Sequence, residues 1–318
     1  MTLRWGIAGT GRIASDFVRD LANIPDARAV AVGSRTAEGA QSFAASRGIA
    51  RSYGSMDDLF ADADVDVVYV AGIHPVHREH AIAAMRAGKH VLVEKPLAMN
   101  SRETAEMIEV SRATNRFLME AMWTRFNPLH VELKRRLDAG EFGRIVSIDS
   151  DFSFSIPHDP NHRLFDPTKG GGSLLDVGIY PISLAWWWLG QPGSWTASGT
   201  IGATGVDERV EMNFSYADGR VARLTCGSTF DGPKKSTITC EDGVIEIHPP
   251  SHSSPVADIR TARGTETVRC AGPGLHHQVV EVHHCVAAGL TESPRMSHAD
   301  SRAIAGFMDE VLASLHGR

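Results

Sequence analysis

The first third of the chain alternates short apolar runs with helical patterns, and that rhythm leaves few folds open. Strands are predicted at Leu3–Ala8, Ala29–Ser34, Val67–Ala71, His90–Val93 and Phe117–Met119, with helices at about Ile13–Asn23, Glu38–Ser46, His77–Ala87 and Arg102–Thr114. Strand, helix and strand in regular succession make βαβ units, hence a parallel sheet covered by helices on both faces. From Ala121 the rhythm changes. A helix at about Leu129–Ala139, a strand near Ile145–Ser155 and a glycine-rich loop lead to a helix at about Leu174–Leu189. Alternating strands follow at Trp195–Gly202, Val210–Tyr216, Val221–Thr229, Ser236–Cys240, Val244–His248 and Thr265–Cys270, then helices at about His276–Ala288 and Asp300–Leu315. Asp218-Gly219 and Asp242-Gly243 have the composition of hairpin turns. The expected fold is α/β: a Rossmann-type doubly wound parallel sheet over 1–121, then an α+β domain with a large, mostly antiparallel sheet over 122–318.

Bulk properties narrow the function classes. The 318 residues carry a formal net charge of -6, which argues against nucleic acid or an acidic membrane surface as partner. No apolar run approaches membrane-spanning length, and Leu3–Ala8 reads as a first strand rather than a signal peptide. Cys226, Cys240, Cys270 and Cys285 are widely spaced and form no C-x-x-C pair, so reduced thiols and a cytoplasmic location are expected.

Chemistry concentrates at strand ends. Gly9-Thr10-Gly11-Arg12-Ile13-Ala14 follows the first strand and opens the first helix. Gly9 permits the turn, Gly11 lets backbone approach a pyrophosphate, and Ala14 lets helix and strand pack closely. The second strand ends Gly33-Ser34-Arg35-Thr36, where an NAD site usually places an acid for the ribose hydroxyls. Ser34 and Arg35, with Arg12, suit a 2′-phosphate and favour NADP over NAD; the competing view makes Arg35 a solvated loop arginine. The fourth strand ends His90-Val91-Leu92-Val93-Glu94-Lys95-Pro96, which aims a lysine out of the sheet edge. A charged pair there must be solvated, paired or used. His276, His277, His283 and His284 lack a ligand set at zinc spacing, so no metal is assigned. Trp186-Trp187-Trp188 cannot all face inward on a helix; at least one is expected to be exposed or covered by a partner subunit.

Those blocks, with Met119-Glu120-Ala121-Met122-Trp123-Thr124-Arg125-Phe126 and Gly170-Gly171-Gly172-Ser173-Leu174-Leu175-Asp176-Val177-Gly178-Ile179-Tyr180-Pro181, run through most of the chain. Together they resemble the glucose–fructose oxidoreductase/inositol dehydrogenase family, in particular its branch of dimeric dihydrodiol dehydrogenases and NADP-dependent aldose dehydrogenases. The resemblance implies an NAD(P)-dependent oxidoreductase. Its expected activity moves hydride from a cyclic sugar or polyol hydroxyl, aldose to lactone, to NADP. Rival expectations are trans-dihydrodiol dehydrogenase activity and a non-catalytic NADP-binding sensor.

The same resemblance implies that Lys95 contacts the nicotinamide ribose and substrate hydroxyl, and that Tyr180 is the acid/base. Asp176, four residues before Tyr180 and thus on the same helical face, is expected to hold Lys95 or a substrate hydroxyl. Ala71, His74, His77, Glu94, Trp123 and Arg125 join the expected cofactor contacts; Trp123, Phe152 and Arg163 join the expected substrate contacts, with Phe126, Phe154 and His158 weaker candidates. The strand-end sequence Ala71-Gly72-Ile73-His74-Pro75 departs from the family's commoner Thr-Pro-Pro type. Pro181 predicts a kink or break near Tyr180. The branch implies a homodimer, or a dimer of dimers, through the sheet of the C-terminal domain.

Overall fold

A computed structural model describes residues 2–317. Contacts divide the chain into two compact units. The first runs to Trp123 and takes in Gly274–Ala305; the second holds Thr124–Pro273 and the chain from Gly306 onward.

The first unit is built on six strands. In chain order it runs β1 (Leu3–Ala8), α1 (Arg12–Leu21), β2 (Ala27–Gly33), α2 (Ala37–Arg47), β3 (Arg51–Tyr53), α3 (Met56–Ala61), β4 (Val67–Val70), α4 (His77–Arg86), β5 (His90–Glu94), α5 (Ser101–Thr114) and β6 (Leu118–Ala121). The strands lie in the order β3-β2-β1-β4-β5-β6, all parallel. The winding reverses between β1 and β4, so the switch point of the sheet lies at their carboxyl ends. β4 and the Val91-Leu92-Val93 segment of β5 are wholly buried, as continuous apolar strands covered on both faces must be. Trp5, also wholly buried, packs on Phe17, which stacks on Tyr69 with ring centroids 3.7 Å apart.

β3 and α3 were not expected. β3 is three half-buried residues, too short to show a period, whereas α3 starts at a reciprocal cap. Asp58 N donates to Ser55 Oγ (3.1 Å), and the Ser55 hydroxyl donates to the Asp58 carboxylate (2.7 Å).

The expected division after residue 121 differs from the grouping by contacts. β6 is followed in the first unit by the later segment Gly274–Ala305, which contains α8 (His276–Ala287). Leu275 N donates to Asp20 Oδ2 (2.9 Å), Trp5 Nε1 donates to His283 Nε2 (3.2 Å), and Leu118 N donates to Thr291 O (3.0 Å). These bonds join residues some 170 or more positions apart, which local patterning does not reveal.

The second unit contains α6 (Pro128–Asp138), β7 (Ile145–Ser153), α7 (Ile179–Leu189), β8 (Ser194–Ile201), β9 (Asp207–Ser215), β10 (Val221–Gly227), β11 (Ser236–Cys240), β12 (Gly243–Ile247), β13 (Val256–Thr261) and β14 (Gly264–Arg269). After α8, α9 (His298–Leu315) begins in the first unit and ends in the second. The eight strands lie in the order β14-β13-β12-β11-β7-β10-β9-β8; β10 pairs with β7 in parallel and every other pair is antiparallel. Strand β13 escaped the sequence prediction because its run mixes polar and apolar residues unevenly.

α7 covers one face of this sheet with a dense aromatic core. Trp186 and Trp188 are buried, and Phe307 packs edge-on to Phe214 (4.9 Å) and Trp195 (5.4 Å). Trp187 is the half-exposed member of the tryptophan run. The opposite face is polar. One register row crosses all eight strands as Thr196, Asn213, Arg223, Asp149, Thr237, Glu246, Asp258 and Thr267, and none of these is buried.

Candidate active site

The loop after β1 is shaped by contact with the end of β4. Gly9 has φ +127°, and a Cβ there would stand 2.9 Å from Ala71 O. Glycine is therefore required twice over, by conformation and by space. Gly11 is the exposed N-cap of α1, and nothing within 4 Å opposes a Cβ on it. No side chain caps this helix, whereas Thr36, Ser55 and Asn100 cap α2, α3 and α5. An uncapped N-terminus behind an open glycine presents free amide donors and positive dipole to an anion. These features fit a dinucleotide pyrophosphate. Thr10 and Ile13 are half-buried beside it.

At the end of β2, Ser34 is half-buried and Arg35 exposed, and the first acid beyond is Glu38 in the opening turn of α2. Arg12 is almost fully exposed, with its Nε 3.8 Å from Asp16 Oδ2. Two accessible guanidinium groups thus flank the glycine turn and the β2 end in sequence.

The Glu94-Lys95-Pro96 segment is held by buried polar groups. Glu94, 6% exposed, accepts from the Tyr69 hydroxyl, and its other oxygen accepts from Lys95 N (3.3 Å). Glu120, 3% exposed, accepts from Leu97 N (3.0 Å) and from Ser301 Oγ (2.7 Å). His77 is wholly buried, with Nδ1 2.8 Å from Pro96 O and Nε2 3.2 Å from Gly72 O, so its ring ties the two loops together. Burial is the chief cause that brings its pKa down to about 4, with the charge of Lys95 acting the same way and the two carbonyl contacts opposing. Ala71 and His74 are likewise buried, and Trp123 is half-buried. Lys95 itself is half-buried.

In the second unit, the glycine run leads into one widened π turn, Leu174–Gly178, continuous with α7. This turn takes the place of the expected break: Pro181 is the third residue of α7, and the widening beforehand accommodates its ring and missing N–H. The anchor of the turn is Asp207 on β9, which accepts from Leu174 N (2.6 Å) and Ser173 Oγ (2.8 Å). Burial raises the Asp207 pKa to about 6 against those bonds.

Asp176 is paired with Arg163, whose two terminal nitrogens donate to its two oxygens at 2.9 and 3.1 Å. Asp176 is buried and Arg163 half-exposed. Tyr180, 9% exposed, lies in an aromatic trio. Its ring centroid is 5.3 Å from Phe152 and 4.9 Å from His252, while Phe152 and His252 stack at 4.1 Å. A cavity beside Tyr180 is lined by these rings and by Thr124, His130, Ser150, Asp151, Ser236 and Ser251.

His252, His130 and Asp207 were missed. His252 follows Pro249-Pro250 in a short loop turn, where no periodicity marks it. His130 reads in sequence as one polar position of α6. Of the weaker candidates, Phe154 stands 6.2 Å from Phe152, His158 is exposed 3.7 Å from Glu208, and Phe126 is buried. Arg125 is buried, donating from Nε to Ser183 Oγ (3.1 Å), with its guanidinium 5.9 Å from the Trp187 ring centre. Among the described residues no group of three His, Cys, Asp or Glu could hold a metal ion.

Comparison with known proteins agrees with this geometry. Residues 3–122 match the oxidoreductase family with NAD-binding Rossmann fold, GFO_IDH_MocA, and residues 130–246 match the GFO/IDH/MocA C-terminal domain. The trans-1,2-dihydrobenzene-1,2-diol dehydrogenase of Xenopus laevis is 38% identical over 99% of this chain and 98% of its own length. A 3-ketoreductase from Actinomadura kijaniata, solved with NADP and TDP-benzene, superposes with TM-score 0.85 at 28% identity, over 98% of this chain and 97% of that one. The aldose-aldose oxidoreductase of Caulobacter crescentus shares the fold, with TM-score 0.90 at 23% identity over 100% and 99% of the two chains. The chain belongs to the GFO/IDH/MocA family and is an NAD(P)-dependent dehydrogenase.

Proposed function

We propose that the protein is an NADP-dependent dehydrogenase that oxidises a ring hydroxyl of a cyclic sugar or polyol, with aldose to lactone as the concrete reaction. The observation that carries the reading is the family match over both parts of the chain, with a 3-ketoreductase solved with NADP and TDP-benzene superposing at 28% identity. For the cofactor, exposed Arg35 and Arg12 and the lack of an acid at the β2 end support a 2′-phosphate.

When bound, NADP supplies the acceptor for the hydride that leaves the carbinol carbon. Tyr180 takes the hydroxyl proton as a phenolate, so the alcohol becomes a carbonyl and the proton passes from Tyr180 to solvent. Lys95 is assigned the orienting cation at the nicotinamide ribose and substrate oxygen, with Glu94, His77 and Glu120 fixing its loop. Trp123, Phe152, Asp176 and Arg163 complete the proposed substrate contacts. Ala71, His74 and Arg125 complete the cofactor contacts.

A second reading is trans-dihydrodiol oxidation. It is supported by the 38% identity to the Xenopus laevis dihydrodiol dehydrogenase and by the Phe152–His252–Tyr180 trio, which suits an aromatic ring. NADP reduction is to be measured with aldoses, inositols and trans-dihydrodiols. Turnover of aldoses or inositols above dihydrodiols supports the first reading, and the reverse supports the second. Silence with all three classes favours a non-catalytic NADP sensor.

We also propose a cytoplasmic homodimer, or dimer of dimers, formed through the polar face of the eight-stranded sheet. Its eight-residue polar row offers directional pairing to a second copy. Arg223→Glu together with Asp149→Arg, measured by sedimentation, tests the assembly.

A further inference from the structure

Asp151, on β7, carries a buried charge with no counter-ion. It is 8% exposed, and among the described residues no cation pairs with it. Taking a carboxylate out of water is costly unless hydrogen bonds offset the loss. Its two oxygens accept from Ser153 Oγ (2.8 Å) and from the backbone N–H of Lys234 (2.9 Å). The Lys234 side chain goes elsewhere, to Asp231 (3.0 Å).

The loop that Asp151 holds is closely fitted to it. A Cβ on Gly232 would collide with both Asp151 oxygens, so glycine lets the loop close over the carboxylate. Lys234 has φ +53°, in the left-handed region that residues other than glycine rarely adopt, and such a conformation persists where its surroundings impose it. There the Lys234 carbonyl accepts from Ser251 N (2.7 Å). Ser251 opens the short turn Ser251–Ser253, which is also fastened by Ser236 Oγ to Ser251 Oγ (2.9 Å) and by Thr124 Oγ1 to His252 O (2.8 Å). At the centre of the turn, His252 stacks on Phe152 with ring centroids 4.1 Å apart and planes 11° from parallel. Asp151 and Phe152 are neighbours on β7, so their side chains leave the strand on opposite faces. The carboxylate reaches the Phe152 ring by a longer path, through Lys234, Ser251 and His252.

We propose that Asp151 is a positioning residue for the substrate side of the site: through Lys234 and Ser251 it holds the turn that lays His252 on Phe152, and so fixes the Phe152 ring. This rests on Phe152 being a substrate contact. Every link is a hydrogen bond or a ring stack, and all five residues lie in the second unit. Losing the carboxylate frees the Lys234 amide and lets that residue leave the left-handed conformation, which withdraws the acceptor from Ser251 N.

The test labels histidine with carbon-13 at Cε1 and follows the His252 resonance, assigned by its loss in His252→Gln. Stacked on Phe152, that resonance is displaced by the ring current of the phenyl group. Asp151→Ala should bring it toward the position of an unstacked histidine. Asp151→Asn keeps an oxygen to accept from Lys234 N and should leave it displaced. Gly232→Ala, which pushes the loop off an intact Asp151, should act like Asp151→Ala, and it decides the matter if circular dichroism finds Asp151→Ala unfolded. Kinetics are run with D-glucose and with trans-1,2-dihydrobenzene-1,2-diol. For the one turned over, Asp151→Ala should raise KM by about five- to tenfold with a smaller effect on kcat, and Asp151→Asn should recover most of the loss. Isothermal titration should find NADP affinity unchanged. A His252 resonance that stays displaced in folded Asp151→Ala or in Gly232→Ala overturns the proposal. A resonance that moves while KM keeps its wild-type value leaves the hold on His252 standing and defeats Phe152 as a substrate contact.

Discussion

The imidazole of His77 stands between two carbonyl oxygens, 2.8 Å from that of Pro96 and 3.2 Å from that of Gly72. A neutral ring can donate to one of them, and the shorter contact assigns the proton to Nδ1. The ring thereby ties the loop after β4 to the residue following Lys95. His77→Ala should lower kcat/KM roughly tenfold and cost about 2–4 kcal/mol of stability, from the lost bond and the void left. Steady-state kinetics and denaturant unfolding check both numbers. An unchanged kcat/KM would mean that Lys95 keeps its place without this tie.

His77 and His130 make stability depend on pH in a defined direction. Each is neutral when folded, with burial as the chief cause of a pKa near 4 against about 6.5 unfolded. Between those values the unfolded chain binds more protons, so stability is lost as pH falls from about 6.5 to about 4. Each contributes at most about 3 kcal/mol across that window. The His130 Nδ1 has no hydrogen-bond partner among the described residues, so His130→Phe should flatten the acid limb while costing little near neutrality. Urea midpoints measured from pH 7 to pH 4 read this directly.

Asp207 has the opposite sign. Its folded pKa of about 6 lies above the ordinary value for a carboxyl, so stability is lost as pH rises from about 4 to about 6. Asp207→Asn keeps one oxygen to accept from Ser173 and Leu174 and should remove that slope. Asp207→Ala leaves both donors without an acceptor and should cost about 2–4 kcal/mol. Because Asp207 anchors the turn that carries Asp176, the alanine variant should also lose kcat more than KM. Activity fully retained in Asp207→Ala would deny the anchor its role.

Arg35→Ala should raise KM for NADP by about tenfold or more and leave KM for NAD nearly unchanged, as expected if a charge-assisted contact to the 2′-phosphate is lost. Equal weakening of both cofactors would make Arg35 a general loop residue. Isothermal titration with each dinucleotide gives the same comparison without turnover.

Much of the first unit was legible because its signals are local. The βαβ rhythm, the Gly9-Thr10-Gly11 turn and the Glu94-Lys95-Pro96 strand end all appear within a few residues of one another. The expected strands at the centre of the sheet agree with β1, β4 and β5 to within a residue at each end. What failed was short or non-local. β3 has three residues, and Gly274–Ala305 joins the first unit through partners such as Asp20, Trp5 and Glu120.

By itself the sequence determined which chemical groups stand at the ends of strands, since strand, turn and helix signals act over a few neighbouring residues. That was enough for the fold class, the phosphate loop and the placing of Lys95 after β5. Only the tertiary structure decided what those groups touch. It paired Asp176 with Arg163, buried His77 between two carbonyls, and seated His252 on Phe152 beside Tyr180. The longest of those pairings spans 100 residues of chain, a separation at which hydrogen bonding and packing choose the partner and local pattern carries no information.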